Sequence, residues 1–190
     1  MLLNVAFLCP VFAEDPRQPE GTADIANILQ EISTVAPSVG RQDLADALRR
    51  RTYGKRVLVT DATVTRLDET NTYPLDKARS FAGLYVLHGA SYPEPSSLGP
   101  KDIIQVLRTL MGRVNCQGDL EAISCSGVGL LIVNQRKNSG TYTYTLLASN
   151  FHLRQLRLGQ LVCLEATASG LSLEQGRLEV FGVLKRIQTR

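Results

Sequence analysis

Two tyrosines separated by one residue are the side chains of this sequence best suited to binding chemistry. Tyr142 and Tyr144 lie in the alternating segment 141–147, so in a strand both rings point to one face. Exposed rings at that spacing stack on successive bases of a single-stranded nucleic acid, at about 1 to 3 kcal/mol per base. If the same face points into a core, the rings are packing residues and only threonines are exposed. The pattern leaves both alternatives open.

Basic side chains accompany these rings along the chain. Arg136 and Lys137 lie on the adjoining predicted hairpin, and Phe151, Arg154 and Arg157 follow the tyrosine segment. Cations along a groove are what a phosphate backbone requires. The net charge of +3 is also uneven, at −2 for residues 1–100 and +5 for residues 101–190. These five residues and the two tyrosines form the candidate nucleic-acid interface.

Catalytic and metal-binding patterns are weak in comparison. The sequence has no Walker loop, no dinucleotide fingerprint, no nucleophile elbow and no Cys-x-x-Cys pair, and its only histidines are His88 and His152. The carboxylates Asp61, Asp68 and Glu69 cluster on and after one predicted strand without a matched partner. We therefore expect no catalysis, no cofactor and no metal site.

The elements that position these residues follow from apolar periodicity. Helices are predicted over residues 24–35, 42–51 and 101–113. Strands are predicted over residues 55–67, 121–135, 141–147, 158–168 and 176–187, the second of them bent at Gly127 and Gly129. Residues 80–87 fit either the end of a helix that begins near Leu75 or a short buried strand.

The strand pattern of the C-terminal part resembles an OB (oligonucleotide/oligosaccharide-binding) fold. The resemblance covers residues 119–187 and includes a segment at 158–164 that is similar to the Leu-x-x-Gly-x-x-Val entry to the fourth strand. It implies a five-stranded Greek-key barrel, with residues 55–67 as a fifth strand or as the start of a second unit. The chain departs from the family between the third and fourth strands, where only residues 150–157 are available for a helix. The expected fold is α+β, with N-terminal helices packed on a C-terminal small antiparallel OB-like barrel.

The N-terminal segment has two interpretations. Residues 1–13 are apolar and end in small residues before Glu14, as in a signal peptide, yet no cation precedes them and Asn4 interrupts them. A buried strand is the alternative. Cleavage after residue 13 leaves three cysteines, including Cys116 and Cys125, which could pair, so cysteine usage favours an intracellular location with free thiols over export.

The expected organisation is a leader or docking segment at 1–23, a mainly helical part at 24–113 and the barrel at 114–190. We expect a non-catalytic protein that binds single-stranded nucleic acid or acts as an assembly subunit of a larger nucleoprotein complex. Protein partners are expected, and the apolar runs are too short to span a bilayer. The alternative is an exported binding protein that recognises a sugar, peptide or envelope partner after removal of residues 1–13.

Overall fold

A closed barrel of five strands is the centre of the molecule. The computed structural model describes residues 22–23, 54–87, 98–112, 114–137, 140–174 and 177–189. The barrel strands are β2 (Arg56–Asp68), β6 (Val128–Lys137), β7 (Gly140–Ser149), β8 (Leu161–Glu174) and β9 (Arg177–Thr189). They are hydrogen-bonded in the order β2-β6-β7-β9-β8, and pairing of β8 with β2 closes the barrel. A two-residue strand, β1 (Thr22–Ala23), pairs in parallel with the start of β2.

Four of the five pairings in the barrel are antiparallel, and the fifth is parallel. Strand β7 lies parallel to β9, with Tyr142 opposite Leu178 and Leu147 opposite Val183. The sequence expectation of an antiparallel barrel is therefore corrected at this one seam. A parallel pairing needs a crossover. Here the crossover consists of the short helix α3 (Asn150–Leu153) followed by β8.

The barrel interior is filled by alternate side chains from every strand. The β-branched and apolar residues of β2 alternate between inside and outside, and Val57, Val59, Ala62 and Val64 are at most 2% exposed. Leu131 and Val133 of β6 and the even-numbered residues of β7 from 142 to 148 point to the same interior. A period of two is what places one set of residues inside and the next outside. We call this group the interior core.

A long insertion lies between the first and second barrel strands. It contains β3 (Thr72–Pro74), α1 (Leu75–Leu87), α2 (Pro100–Met111), β4 (Cys116–Gly118) and β5 (Ala122–Cys125). Strands β3, β5 and β4 form a separate antiparallel sheet in that order. The buried faces of both helices and of this sheet pack with Val128, Leu130, Leu147, Phe181 and Val183 of the barrel's outer surface. We call this second group the outer core.

Glycines permit the close approaches between these parts. A Cβ on Gly170 of β8 would overlap the backbone oxygen of Ser80, so α1 sits directly against that strand. A Cβ on Gly129 would overlap the backbone oxygen of Asp68 in the same way. Next to the second contact, Gly127 has φ +75 and forms the turn from β5 into β6. The predicted bent strand over 121–135 is thus two strands, which belong to two different sheets.

Several other predictions can be compared with the structure. The predicted strand over 55–67 corresponds to β2, and it takes the position of the fifth barrel strand. Helix α2 matches the predicted helix over 101–113, and the ambiguous segment 80–87 is the end of a helix that begins at Leu75. The helices predicted over 24–35 and 42–51 lie outside the described residues. Helices α1 and α2, which pack on the outer surface of the barrel, come from the insertion. The described part of the chain consists mostly of strands.

Candidate nucleic-acid interface

The tyrosine pair is part of the interior core. Tyr142 is 6% exposed and Tyr144 is 3% exposed, and both pack among the apolar residues inside the barrel. The Tyr144 hydroxyl donates to Oε1 of Gln135 at 3.1 Å, and Nε2 of Gln135 donates to the oxygen of Thr60 at 2.7 Å. These bonds satisfy polar groups that burial would otherwise penalise. The prediction that the two rings stack on bases is corrected, because their face of β7 is the inner one.

The half of the outer face of β6 and β7 that lies nearer their hairpin is mainly polar, and its paired residues carry no aromatic ring. Cross-strand pairs there are Ile132 with Thr145, Asn134 with Thr143, and Arg136 with Thr141. The Thr143 hydroxyl donates to Oδ1 of Asn134 at 3.1 Å. The Thr145 hydroxyl donates to the carboxylate of Glu179 on β9. Thr145 is fully buried. The amide of Asn134 and the hydroxyl of Thr143 are partly exposed, and the cation of Arg136 is exposed at one end.

The predicted cations are divided between the two ends of β7. Arg136 is exposed near the hairpin that joins β6 to β7, opposite Thr141, and Lys137 pairs with Gly140 in the backbone ladder. The side chain of Lys137 lies outside the described atoms. Phe151, Arg154 and Arg157 follow the other end of the strand. Ten residues of strand span about 30 Å, so the seven predicted residues do not form one continuous groove.

The segment after β7 is a well-braced cap on one end of the barrel. Ser149 caps α3, because its hydroxyl accepts the backbone N–H of His152 at 3.4 Å. Leu153 and Leu156 insert into the interior core. The Gly159 N–H donates to the oxygen of Val64, and the Val64 N–H donates to the oxygen of Gln160, at 2.8 and 2.9 Å. The outward side chains of the cap are therefore held on a fixed backbone.

Three of the predicted residues lie on this cap. Phe151 and Arg157 project into solvent, and Arg154 makes an exposed ion pair. Phe151 is 70% exposed and its ring meets the His152 ring edge-on at 5.8 Å between centroids. Nε of Arg154 lies 3.1 Å from Oε2 of Glu69, which follows β2. Arg157 is exposed. Because the Arg154 pair is exposed on both sides, solvent screens it and it contributes little to stability.

Sequence patterns did not identify three exposed leucines. Leu158 is 67% exposed and Leu161 is 46% exposed, although both were placed in a predicted strand over 158–168. Strand β8 begins only at Leu161, and burial starts with Val162. Leu120, in the turn between β4 and β5, is 81% exposed. In the sequence, Leu158 lies directly before a glycine, and this was the one indication that it could be exposed. In the structure, Gly159 has φ +79 and forms a turn where a strand was predicted.

The carboxylates considered for catalysis have ordinary structural partners. Oδ1 of Asp68 accepts the backbone N–H of Thr70, and Oδ2 accepts from Arg66 at 3.0 Å. Hydrogen bonds from Thr70, followed by those from Arg66, hold the pKa of Asp68 below its usual value. Asp61, exposed on β2, has φ 55 at the point where the pairing with β8 changes register. The contacts of Asp68 stabilise the end of β2.

One buried ion pair lies on the outer face of the closing strands. Nε of Arg56 on β2 is 3.5 Å from Oε1 of Glu165 on β8, and Glu165 is 3% exposed. On neighbouring β9, Nζ of Lys185 donates to the oxygen of Leu110 at the end of α2, at 2.9 Å. Burial lowers the pKa of Lys185, and the charge of Glu165 partly opposes that shift. The Lys185 bond connects α2 to the barrel, and the ion pair joins the two closing strands.

In the described part of the chain, no three His, Cys, Asp or Glu side chains are grouped so that they could hold a metal ion. Among the described helices, none combines the length and the apolar character that crossing a bilayer requires.

The cysteines of the small sheet form a disulfide. Cys116 and Cys125 face each other across β4 and β5 and are bonded, with Cα atoms 4.1 Å apart. No described cysteine is a free thiol. The expectation of free thiols, which favoured an intracellular location, is therefore corrected for the described cysteines, because these two side chains share one face of a two-strand ladder.

Comparison of the chain with protein-family models, with curated proteins and with solved structures finds no match. The strand order of the barrel and the groups on its surface are therefore the basis for assigning a function.

Proposed function

We propose that the barrel is an OB fold and that the protein is a non-catalytic binding subunit. The observation that carries this proposal is the strand order. In chain order, the first barrel strand pairs with the second and fourth, the second with the third, and the third runs parallel to the fifth. This order makes a five-stranded Greek-key barrel, and a short helix joins its third and fourth strands. The insertion occupies the connection between the first and second strands.

Single-stranded nucleic acid is the ligand that we propose for this subunit. OB folds bind oligonucleotides on the face of the second and third strands, which here are β6 and β7. Exposed Arg136 stands at the hairpin end of that face, next to donors and acceptors such as Asn134 and Thr143. The excess positive charge of residues 101–190 supports the attraction of phosphate. Because the paired residues of this face offer no ring for stacking, backbone contacts supply most of the affinity.

A salt titration of oligonucleotide binding tests this proposal. Fluorescence anisotropy of a labelled single-stranded oligonucleotide is measured at increasing salt for the wild type, for R136A and for R108A. Arg108 is an exposed arginine of α2 in the insertion, so R108A removes the same charge away from the proposed face. We expect R136A to weaken binding and to reduce the salt slope by about 0.7, the value for one phosphate contact on a single strand. Absence of binding at low salt, or equal effects of the two variants, would overturn the proposal.

The disulfide favours a second candidate function, that of an exported binding protein. Bonded cysteines persist in oxidising compartments and are rare in reducing ones. In this case residues 1–13 are removed and the barrel binds a sugar, peptide or envelope partner. N-terminal sequencing and thiol counting of the native protein separate the two candidates. A start at Glu14 with an intact Cys116–Cys125 bond supports export, whereas a start at Met1 with reduced cysteines excludes it.

A further inference from the structure

The cap at the end of the barrel carries an unusual concentration of exposed apolar side chains. Of the five large apolar side chains that are exposed in the described part of the chain, three lie within the segment 151–161. Two arginines lie between Phe151 and Leu158, and Arg157 is exposed. We define the cap surface as Phe151, Arg154, Arg157, Leu158 and Leu161. It runs beside the second half of β2, since Leu161 pairs with Thr63 and Arg154 reaches Glu69.

The chemistry of the cap surface fits a protein better than a nucleic acid. Bases stack on aromatic rings, but two of its three apolar side chains are leucines, which offer no ring. Exposed leucines are covered favourably by other apolar side chains, because burial removes their surface from water. The arginines at the same surface select carboxylates in the partner. The occupant is therefore expected to present an apolar residue flanked by acidic ones.

The chain itself displays a segment with that composition. The turn between β4 and β5 consists of Asp119, Leu120 and Glu121, all exposed, and Leu120 is the most exposed large apolar residue of the described chain at 81%. We call it the acidic turn. Its shape is fixed, because Oδ1 of Asp119 accepts the N–H groups of Glu121 and Ala122 at 2.9 and 3.1 Å. The Asp119 N–H donates to the oxygen of Ala122 at 3.0 Å. A leucine is thus presented to solvent between two carboxylates.

We propose that two copies of the chain associate head to tail, with the acidic turn of one copy docked on the cap surface of the next. Leu120 lies among Phe151, Leu158 and Leu161, and the carboxylate of Glu121 faces the guanidinium of Arg157. The two surfaces are different parts of the molecule, so the contact is heterologous and produces rings or open chains of copies. This proposal does not depend on nucleic-acid binding, since the outer face of β6 and β7 takes no part.

Sedimentation of the whole protein over a range of concentrations measures this association. We expect the average mass to rise with concentration for the wild type. L120S removes the central apolar contact and is expected to weaken association at least about tenfold. L58S is the matched control, because Leu58 is an exposed leucine of β2 that belongs to neither surface. Both positions are exposed, so circular dichroism and thermal unfolding should show that both variants stay folded.

Charge reversal then identifies the partner surfaces. E121R and R157E, each alone, are expected to lose association because like charges meet at the contact. A mixture of the two variants should associate again, since the arginine introduced in one copy meets the glutamate introduced in the other only in mixed pairs. The proposal is overturned if the wild type remains monomeric up to about 1 mM, because the dissociation constant would then be too weak for a specific contact. It is also overturned if L58S and L120S behave alike, or if the mixture stays monomeric.

Discussion

The two apolar cores of this molecule differ in how they are enclosed. The interior core is surrounded by five strands that close on themselves, and its residues come from both sides of the insertion. The outer core lies between the outer surface of the barrel and a layer made of α1, α2 and the small sheet. Phe181 of the barrel contacts this layer, because its ring meets that of Phe81 in α1 edge-on at 5.4 Å between centroids. The interior core is closed on all sides, whereas the outer core can relax by movement of α1, α2 and the small sheet.

The disulfide between Cys116 and Cys125 lies in the outer core, the less enclosed of the two. The barrel strands have 10 to 14 residues each and are paired around the circle. The small sheet has strands of three and four residues, which are marginal by themselves. Its bond between Cys116 and Cys125 connects the two strands that the acidic turn joins. A covalent link therefore reinforces the part of the molecule with the weakest pairing.

The largest effects are expected from truncation in the two cores. Leu131 and Ile103 are both fully buried, the first in the interior core and the second in the outer core. Leu-to-Ala and Ile-to-Ala changes cost about 2 to 5 kcal/mol, and more where the cavity cannot collapse. We expect L131A near the upper end and I103A near the lower end, because α2 can shift into its cavity. Urea unfolding of both variants measures this, and a larger loss for I103A would contradict the comparison of the two cores.

Removal of the disulfide should have an intermediate effect. The bond closes a loop with a sequence separation of 9, for which loop-closure entropy predicts about 2 to 3 kcal/mol. The paired variant C116A/C125A is expected to lose that amount in the free energy of unfolding. If the small sheet depends on the bond more than the barrel does, hydrogen exchange rises mainly at β4 and β5. Uniformly faster exchange in β6 and β7 would show that the two regions unfold together.

The contact between helix α1 and the barrel provides a smaller and more local test. In G170A the added Cβ meets the oxygen of Ser80, which cannot move without its helix. Overpacking of this kind costs about 1 to 3 kcal/mol. G99A is the control, since Gly99 has an ordinary φ of −80 and its nearest neighbour is the flexible Asp102 side chain at 3.4 Å. Thermal unfolding should separate the two variants, and equal stability would show that α1 packs loosely.

The smallest effect concerns pH. Two backbone N–H groups, those of Glu121 and Ala122, lower the pKa of Asp119 below the ordinary value of 3.8. A lowered pKa means that the unfolded chain takes up the proton first, so the stabilisation exists above about pH 4 and disappears as pH falls through the lowered value. The gap in urea midpoint between the wild type and D119A should therefore narrow in acid. A gap that is constant with pH would mean that the carboxylate charge has no role.

The sequence was sufficient for elements with a strong period. Apolar spacing predicted α2, whose buried residues are Ile103, Val106 and Leu107, and the β-branched alternation predicted β2. Both signals are local, because one face of an element has to be apolar wherever it packs. The division of residues 121–135 into strands of two sheets was not predicted, since it depends on the backbone of Asp68 approaching Gly129. That contact joins residues far apart in sequence.

The candidate site shows the same limit. Alternation placed Tyr142 and Tyr144 on one face of β7, which is correct, but it carries no information on which face is inside. Closure of the barrel by β2 decides that, through pairs that are distant in sequence, such as Val57 with Ala166. Exposure of Leu158 likewise follows from the cap geometry. Residue types predicted the kind of chemistry, and only the fold could assign it to a surface.

The register of the first two barrel strands makes the insertion separable from the barrel ladder. Asp68 and Leu130 are cross-strand partners, so the polypeptide leaves the barrel and returns to it at neighbouring positions. A turn of a few residues can join strands at such a distance. A short turn in place of residues 69–127 would therefore leave this ladder unbroken. The insertion is nevertheless needed for burial, because its removal would expose Leu147, Phe181 and Val183 to water.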